Sequence, residues 1–131
     1  MIDVEIDVFN YVYTYVSSLV PTGNFTSQFN PSPSSLPFAT LIEMDNSTDV
    51  QMRSSSDTED YAILMYEANV YAEDKTTCRS VMNALDNAMI QLGFTRISMQ
   101  FVPNLADTTL FRLTARYRAA ADGNKVIYRH Q

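Results

Sequence analysis

The sequence predicts an α+β fold: a mainly antiparallel sheet of four to five strands with two helices packed on one face. Three observations carry this expectation. Cys78, Val81, Met82, Leu85, Ala88, Met89 and Leu92 recur at helical spacing and form one apolar stripe. Residues 61–72 and 108–119 alternate their side chains with a period of two, as strands do. Asp122-Gly123-Asn124, just beyond the second of these runs, is a hairpin signal. The 131 residues suit one domain spanning 1–131, long enough to bury a core without a disulfide or metal.

Residues 3–20 read as the first helix, because Val8, Val12, Tyr15, Val16 and Leu19 recur at three- and four-residue spacing. Asp3, Glu5 and Asp7 lie where the helix dipole favours negative charge. Ile2, Val4, Ile6 and Val8 also alternate as in a strand, but that alternation fails after Phe9 while the helical spacing continues. Residues 21–37 form a long connection holding four of the five prolines. Such a loop is either a flexible surface excursion or a functional segment. Phe25 and Phe29 mark it as a candidate docking loop, since apolar rings need something to pack on. Residues 38–44 read as a short buried strand and residues 45–60 as a second polar excursion. In the strand at 61–72, Ala62, Leu64, Tyr66, Ala68 and Val70 share one face, and Glu67 and Asn69 mark the face turned to solvent or a partner.

Asp74 is the expected N-cap of a helix running to Leu92, and Gly93 stands where a left-handed C-terminal cap belongs. Strands follow at 95–102 and 108–119, joined by a turn at 103–107. A short strand at 125–129 folds back along the longer one.

The single cysteine, Cys78, allows no intrachain disulfide and suits a reducing compartment. On its apolar stripe it reads as a core residue. No apolar run reaches membrane-spanning length, so no membrane partner is expected. The N-terminus is acidic where a signal peptide would be basic. His130 is the only histidine and lies next to the last residue, which leaves no base for a nucleophile and no metal set. Three glycines offer no phosphate-cradling loop. The expectation is a protein without catalytic residues, metal or cofactor.

The formal charge of −6 speaks against a general nucleic-acid binder, but it is unevenly spread. Residues 1–95 carry three basic and thirteen acidic residues, a net of −10, whereas residues 96–131 carry six basic and two acidic, a net of +4. A subunit polarised in this way suits head-to-tail contact with copies of itself. Period-two geometry places Arg112, Arg116 and Arg118 on one side of a strand, and Arg96, Lys125 or Arg129 would extend the stripe. Three uses fit such a row: a solvated face that guards an edge, a subunit interface with a neighbour's Asp57, Glu59 and Asp60, or contact with DNA phosphates. No aromatic interleaving of the single-strand-binding type accompanies it.

The element order and local text resemble the tail terminator (tail completion) proteins of long-tailed bacteriophages, the lambda-type terminator among them, and the small head–tail neck proteins encoded beside them. The resemblance runs through the first helix and the strand start Leu36-Pro37-Phe38-Ala39-Thr40-Leu41. It continues through the strand ending at Ala72, Lys75–Phe94, and the stretch from Phe101 to Arg112. It implies a structural protein of the virion neck, assembled in the host cytoplasm. Such a protein forms a homo-oligomeric ring, a hexamer in the terminators, that caps the tail-tube protein and joins it to the head connector or stopper. DNA would pass through its lumen without sequence-specific binding. Another connector component, an adaptor or stopper on the portal side, shares these patterns. A small intracellular binding module unrelated to phage is the remaining alternative.

Overall fold

Asp74 begins the longest helix as expected: its carboxylate accepts the Thr77 backbone N–H at 2.7 Å, and the helix runs Lys75–Leu92. It ends at Gly93, whose φ of 105° is left-handed, with Gly93 and Phe94 N–H groups closing on the Ile90 and Met89 carbonyls. The computed structural model describes residues 1–30, 32–48 and 61–129. Along the chain the elements are α1 (Glu5–Val16), β1 (Phe25–Thr26), β2 (Phe38–Thr48), β3 (Tyr61–Ala72), α2 (Lys75–Leu92), β4 (Thr95–Val102), β5 (Phe111–Asp122) and β6 (Ile127–Arg129).

The strands form one sheet in the order β1-β2-β3-β5-β4, with β6 pairing the far end of β5. All pairings are antiparallel except the two-residue match of β1 with β2. Both helices lie on one side, so the α+β arrangement is the one the patterning implies. Val8, Val12 and Val16 of α1 and Cys78, Val81, Met82, Leu85, Ala88 and Met89 of α2 are buried. They meet Leu41, Leu64, Tyr66, Val70, Leu113 and Tyr117 from the sheet in one hydrophobic cluster. Ala62, Ala68, Ala72, Ala115, Ala119 and Ala121 are buried on the same sheet face and let the helices approach closely. Each large side chain sequestered here contributes roughly 1.5–3 kcal/mol.

Several boundaries move, each for a local reason. The first helix is shorter than 3–20: Val4 precedes it without a side-chain cap, and residues 17–19 are turns. Within the long connection, Asn24 ties the chain to itself. Its side-chain amide donates to the Ser35 and Pro37 carbonyls, its backbone carbonyl accepts the Ala39 N–H at 2.8 Å, and β1 is thereby held beside β2. The strand expected to stop at 44 continues to Thr48 across a bulge at Met44. Its polar tail has uses there, since Asn46 donates to the Ile2 carbonyl at 2.7 Å. The long strand starts at Phe111, not at 108, because Asp107 folds the preceding residues into a turn by accepting the Thr109 N–H at 3.1 Å. It then persists through the alanines to Asp122, whose carboxylate accepts the N–H groups of Asn124 and Val126 and shapes the hairpin. Lys125, with φ of 63°, belongs to that turn and not to the last strand.

Candidate functional site

Away from the helices, the sheet carries a polar face made mostly by β3 and β5. Their register sets Glu67 opposite Arg116, Asn69 opposite Thr114 and Tyr71 opposite Arg112. Arg116 Nε donates to Glu67 Oε2 at 3.1 Å, and Arg112 Nη2 stands 3.9 Å from Glu67 Oε1. Asn69 donates to Glu67 Oε1 at 3.1 Å, and its own carbonyl accepts Arg112 Nε at 2.8 Å and Thr114 Oγ1 at 2.7 Å. Glu67, Asn69 and Thr114 are all buried. The sequence reading of Glu67 and Asn69 as residues facing solvent or a partner is therefore corrected. They point away from the helices but are enclosed by arginines of the next strand. Beside them lies a groove of about 360 Å³ bordered by Ser98 and Gln100 of β4.

Phe29 crosses over this network, its ring 5.6 Å from the Arg112 guanidinium, with the Tyr71 ring at 5.9 Å. Arginine suits such a position because its flat cation stacks on rings while its edge hydrogen-bonds. Burial is the main cause raising the pKa of the Tyr71 hydroxyl, and the nearby Arg112 charge opposes it. The Tyr71 hydroxyl and Thr40 Oγ1 find no hydrogen-bond partner among the described residues.

The expected arginine stripe is present in part. Arg112, Arg116 and Arg118 share the polar face, and Arg116 and Arg118 are exposed. Arg96 leaves the stripe. A bulge at Ile97 resets the alternation of β4, and Arg96 pairs instead with Asp86 of α2 at 3.1 Å. Asp86 also accepts the Tyr117 hydroxyl at 2.8 Å. Lys125 does not extend the stripe either; it reaches Asp7 of α1 at 3.7 Å. Phe25 of the expected docking loop packs into the chain's own core. It is buried and stacked on Phe9 with ring centroids 4.5 Å apart, whereas Phe29 is 55% exposed. Asp57, Glu59 and Asp60, the expected acidic partners, lie outside the described residues, as does His130.

Cys78 is enclosed at the N-terminal end of α2, 3.6 Å from the Val70 carbonyl and 3.5 Å from that of Phe111. Burial pushes its thiol up to about 11, so it is a poor nucleophile. Among the described residues no group of three His, Cys, Asp or Glu side chains is placed to hold a metal. A second cavity of about 480 Å³ lies between the 33–37 segment, the start of α2 and the 107–110 turn. Two of its three carboxylates are engaged locally: Asp74 caps α2, and Asp107 bonds Thr109, while Glu73 also borders the cavity. What these elements define is a sheet with a hydrophobic layer under the helices on one face and a salt-bridged, arginine-bearing polar network on the other.

No protein-family model matches the sequence, and no curated protein resembles it at the sequence level. The fold is similar to that of a chain from the virion of a native gene transfer agent (GTA) particle, with a TM-score of 0.65 and 16% sequence identity. The match covers 88% of this chain and 92% of the other. At that identity the shared property is the fold.

Proposed function

We propose that this protein is a structural component of a phage-type virion: a tail terminator whose ring caps the tail tube and joins it to the head connector. The observation that carries the reading is the likeness of nearly the whole fold to a chain that is built into a virion particle. The proposed role is architectural, without catalysis or cofactor, and the proposed partners are copies of the same chain, the tail-tube protein and the connector. Charge polarity supports self-association. The basic residues concentrate in β4–β6, and the exposed Arg116 and Arg118 offer bidentate donors to carboxylates of a neighbour. In a closed ring each subunit uses its basic surface once and its acidic surface once. An acidic remainder around the lumen would let duplex DNA pass without being gripped. A portal-side adaptor or stopper draws support from the same fold likeness, and the two are separated by what the ring binds.

Negative-stain microscopy of the full chain, alone and with tail tubes, tests the proposal. Rings seated on tube ends are expected. Rings that bind portal complexes and ignore tubes would favour the adaptor, and particles that stay monomeric with either partner would overturn both. At residue level, Arg116→Glu is expected to weaken ring formation more than Lys75→Glu. Lys75 lies over the Phe101 and Phe111 rings at 5.2 and 5.8 Å, away from the polar face.

A further inference from the structure

Both long edges of the sheet are interrupted by a bulge, and the two bulges are chemically matched. On one edge, β1 covers β2 only at Ala39 and Thr40. Further along β2, Met44 is the extra residue between Glu43 and Asp45 and is 56% exposed. On the opposite edge, Ile97 is the extra residue of β4 between Arg96 and Ser98 and is 50% exposed. Other exposed apolar residues exist, and singly they need no explanation. These two differ because each is presented at an edge and framed by charge of opposite sign.

Around Met44 the charge is acidic. Glu43 and Asp45 flank it, and Asp3 and Glu5 lie near enough to Glu43 to act on its ionisation. Around Ile97 the charge is basic. Arg96, bridged to Asp86, flanks it, and the register sets Arg116, bridged to Glu67, opposite Ser98 and Arg118 opposite Thr95, so arginines outnumber the carboxylates there. Arg96, Arg116 and Arg118 all retain exposure. A bulge twists an edge and breaks its ladder, so neither edge suits simple backbone pairing with another strand. What remains for contact is the side chains: an apolar knob with carboxylates on one edge, and an apolar knob with guanidiniums on the other.

We propose that a second copy of this chain docks edge to edge, with Met44 of one subunit against Ile97 of the next and the β2 carboxylates facing the arginines of β4 and β5. The contact is heterologous, because the two edges differ, so each subunit keeps one edge free for the next and a closed ring results when the rotation fits. This inference rests on the ring proposed above. It adds the apolar centre of the contact and an acidic half within the folded sheet.

Cysteine cross-linking separates the two ideas. In the full chain carrying both Met44→Cys and Ile97→Cys, mild oxidation of assembled rings is expected to give a ladder of covalent multimers. Met44→Cys alone and Ile97→Cys alone are expected to stay uncross-linked, and a mixture of the two single variants is expected to give dimers. Cys78 is fully buried and does not contribute to the ladder. Rings visible by microscopy with no ladder would overturn the edge contact and leave the ring standing. Dimers from either single variant would overturn it in favour of a two-fold contact. The absence of rings under all conditions would remove both proposals. Charge gives an independent reading by sedimentation. Ile97→Glu, placed against Glu43 and Asp45, is expected to weaken assembly at least about tenfold, and Ile97→Lys is expected to assemble at least as well as Ile97→Ser. Equal losses from Glu and Lys would overturn the assignment of an acidic partner surface.

Discussion

Replacing Glu67 by alanine tests the polar face most directly, because the cost is unevenly divided among its partners. The bridge to Arg116 is short, but the Arg116 side chain is 57% exposed, so losing it costs about 0–1 kcal/mol. Asn69 is fully buried, and its amide donates to Glu67 Oε1. Removing that acceptor strands a buried donor at about 1–3 kcal/mol. Arg112 keeps its shorter bond to the Asn69 carbonyl, so its loss is small. The expected total for Glu67→Ala is about 2–3 kcal/mol, against less than about 1 kcal/mol for Arg116→Ala. The assay is urea unfolding followed by far-ultraviolet circular dichroism, at one low protein concentration for every variant, so that the proposed self-association does not enter the comparison. With a slope of about 1–3 kcal/mol per molar urea, the midpoint is expected to fall by roughly 0.7–3 M for Glu67→Ala and by a smaller amount for Arg116→Ala. Glu67→Gln retains an acceptor for Asn69 and is expected to fall between wild type and Glu67→Ala. Equal losses from Glu67→Ala and Arg116→Ala would refute the reasoning, since they would mean that the exposed bridge, not the buried amide, carries the energy.

Three further outcomes follow from the same geometry. Gly93→Ala is expected to lower the melting temperature by roughly 5–10 °C, and Gly23→Ala by less. Both glycines have positive φ, but a Cβ on Gly93 would meet the Ile127 carbonyl oxygen at 3.0 Å, whereas Gly23 has open space. Leu85→Ala, at a fully buried position facing the sheet, is expected to cost about 2–5 kcal/mol by chemical unfolding. The third concerns pH. Burial first, and then Asp3, Glu5 and Asp45, raise the Glu43 carboxyl above its ordinary 4.5, against the hydrogen bond from Tyr66. A raised carboxyl stabilises the fold when protonated, and that stability is lost as the pH rises from 4.5 through the folded value. Glu43→Gln is therefore expected to melt higher than wild type at pH 7, with the difference vanishing as the pH falls to 4.5. Below 3.8 both proteins are expected to weaken, because hydrogen bonds from Thr77 and Thr109 hold Asp74 and Asp107 below their ordinary values.

The helices and the parity of the central strands were legible because burial imposes a period on the residues themselves. Leu85 and its neighbours on α2 mark one helical face, and Leu64, Tyr66, Ala68 and Val70 mark one sheet face, whatever they pack against. Asp74 and Gly93 announce the ends of α2 because a cap acts within a few residues. Where the expectation failed, the deciding interaction was with something distant in sequence. Phe25 looks like a ring in want of a partner until Phe9 of α1 is placed beside it. The polar run at 45–48 looks like loop until Asn46 meets the Ile2 carbonyl. Glu67 looks solvated until Arg112 and Arg116 enclose it.

Arg96 shows the division most clearly. The amino-acid sequence by itself determined the α+β plan, the start and finish of α2, the acid-to-base polarity along the chain, and the row of Arg112, Arg116 and Arg118, all properties of local periodicity and composition. Only the tertiary structure decided which charges remain available. A single extra residue at Ile97 inverts the side of the sheet that Arg96 faces, and the pairing of β3 with β5 commits Glu67 to Arg112 and Arg116 of the same chain. A bulge and a strand register are set by backbone hydrogen bonds between segments far apart in the chain, and those bonds leave no mark on the side-chain pattern of either strand.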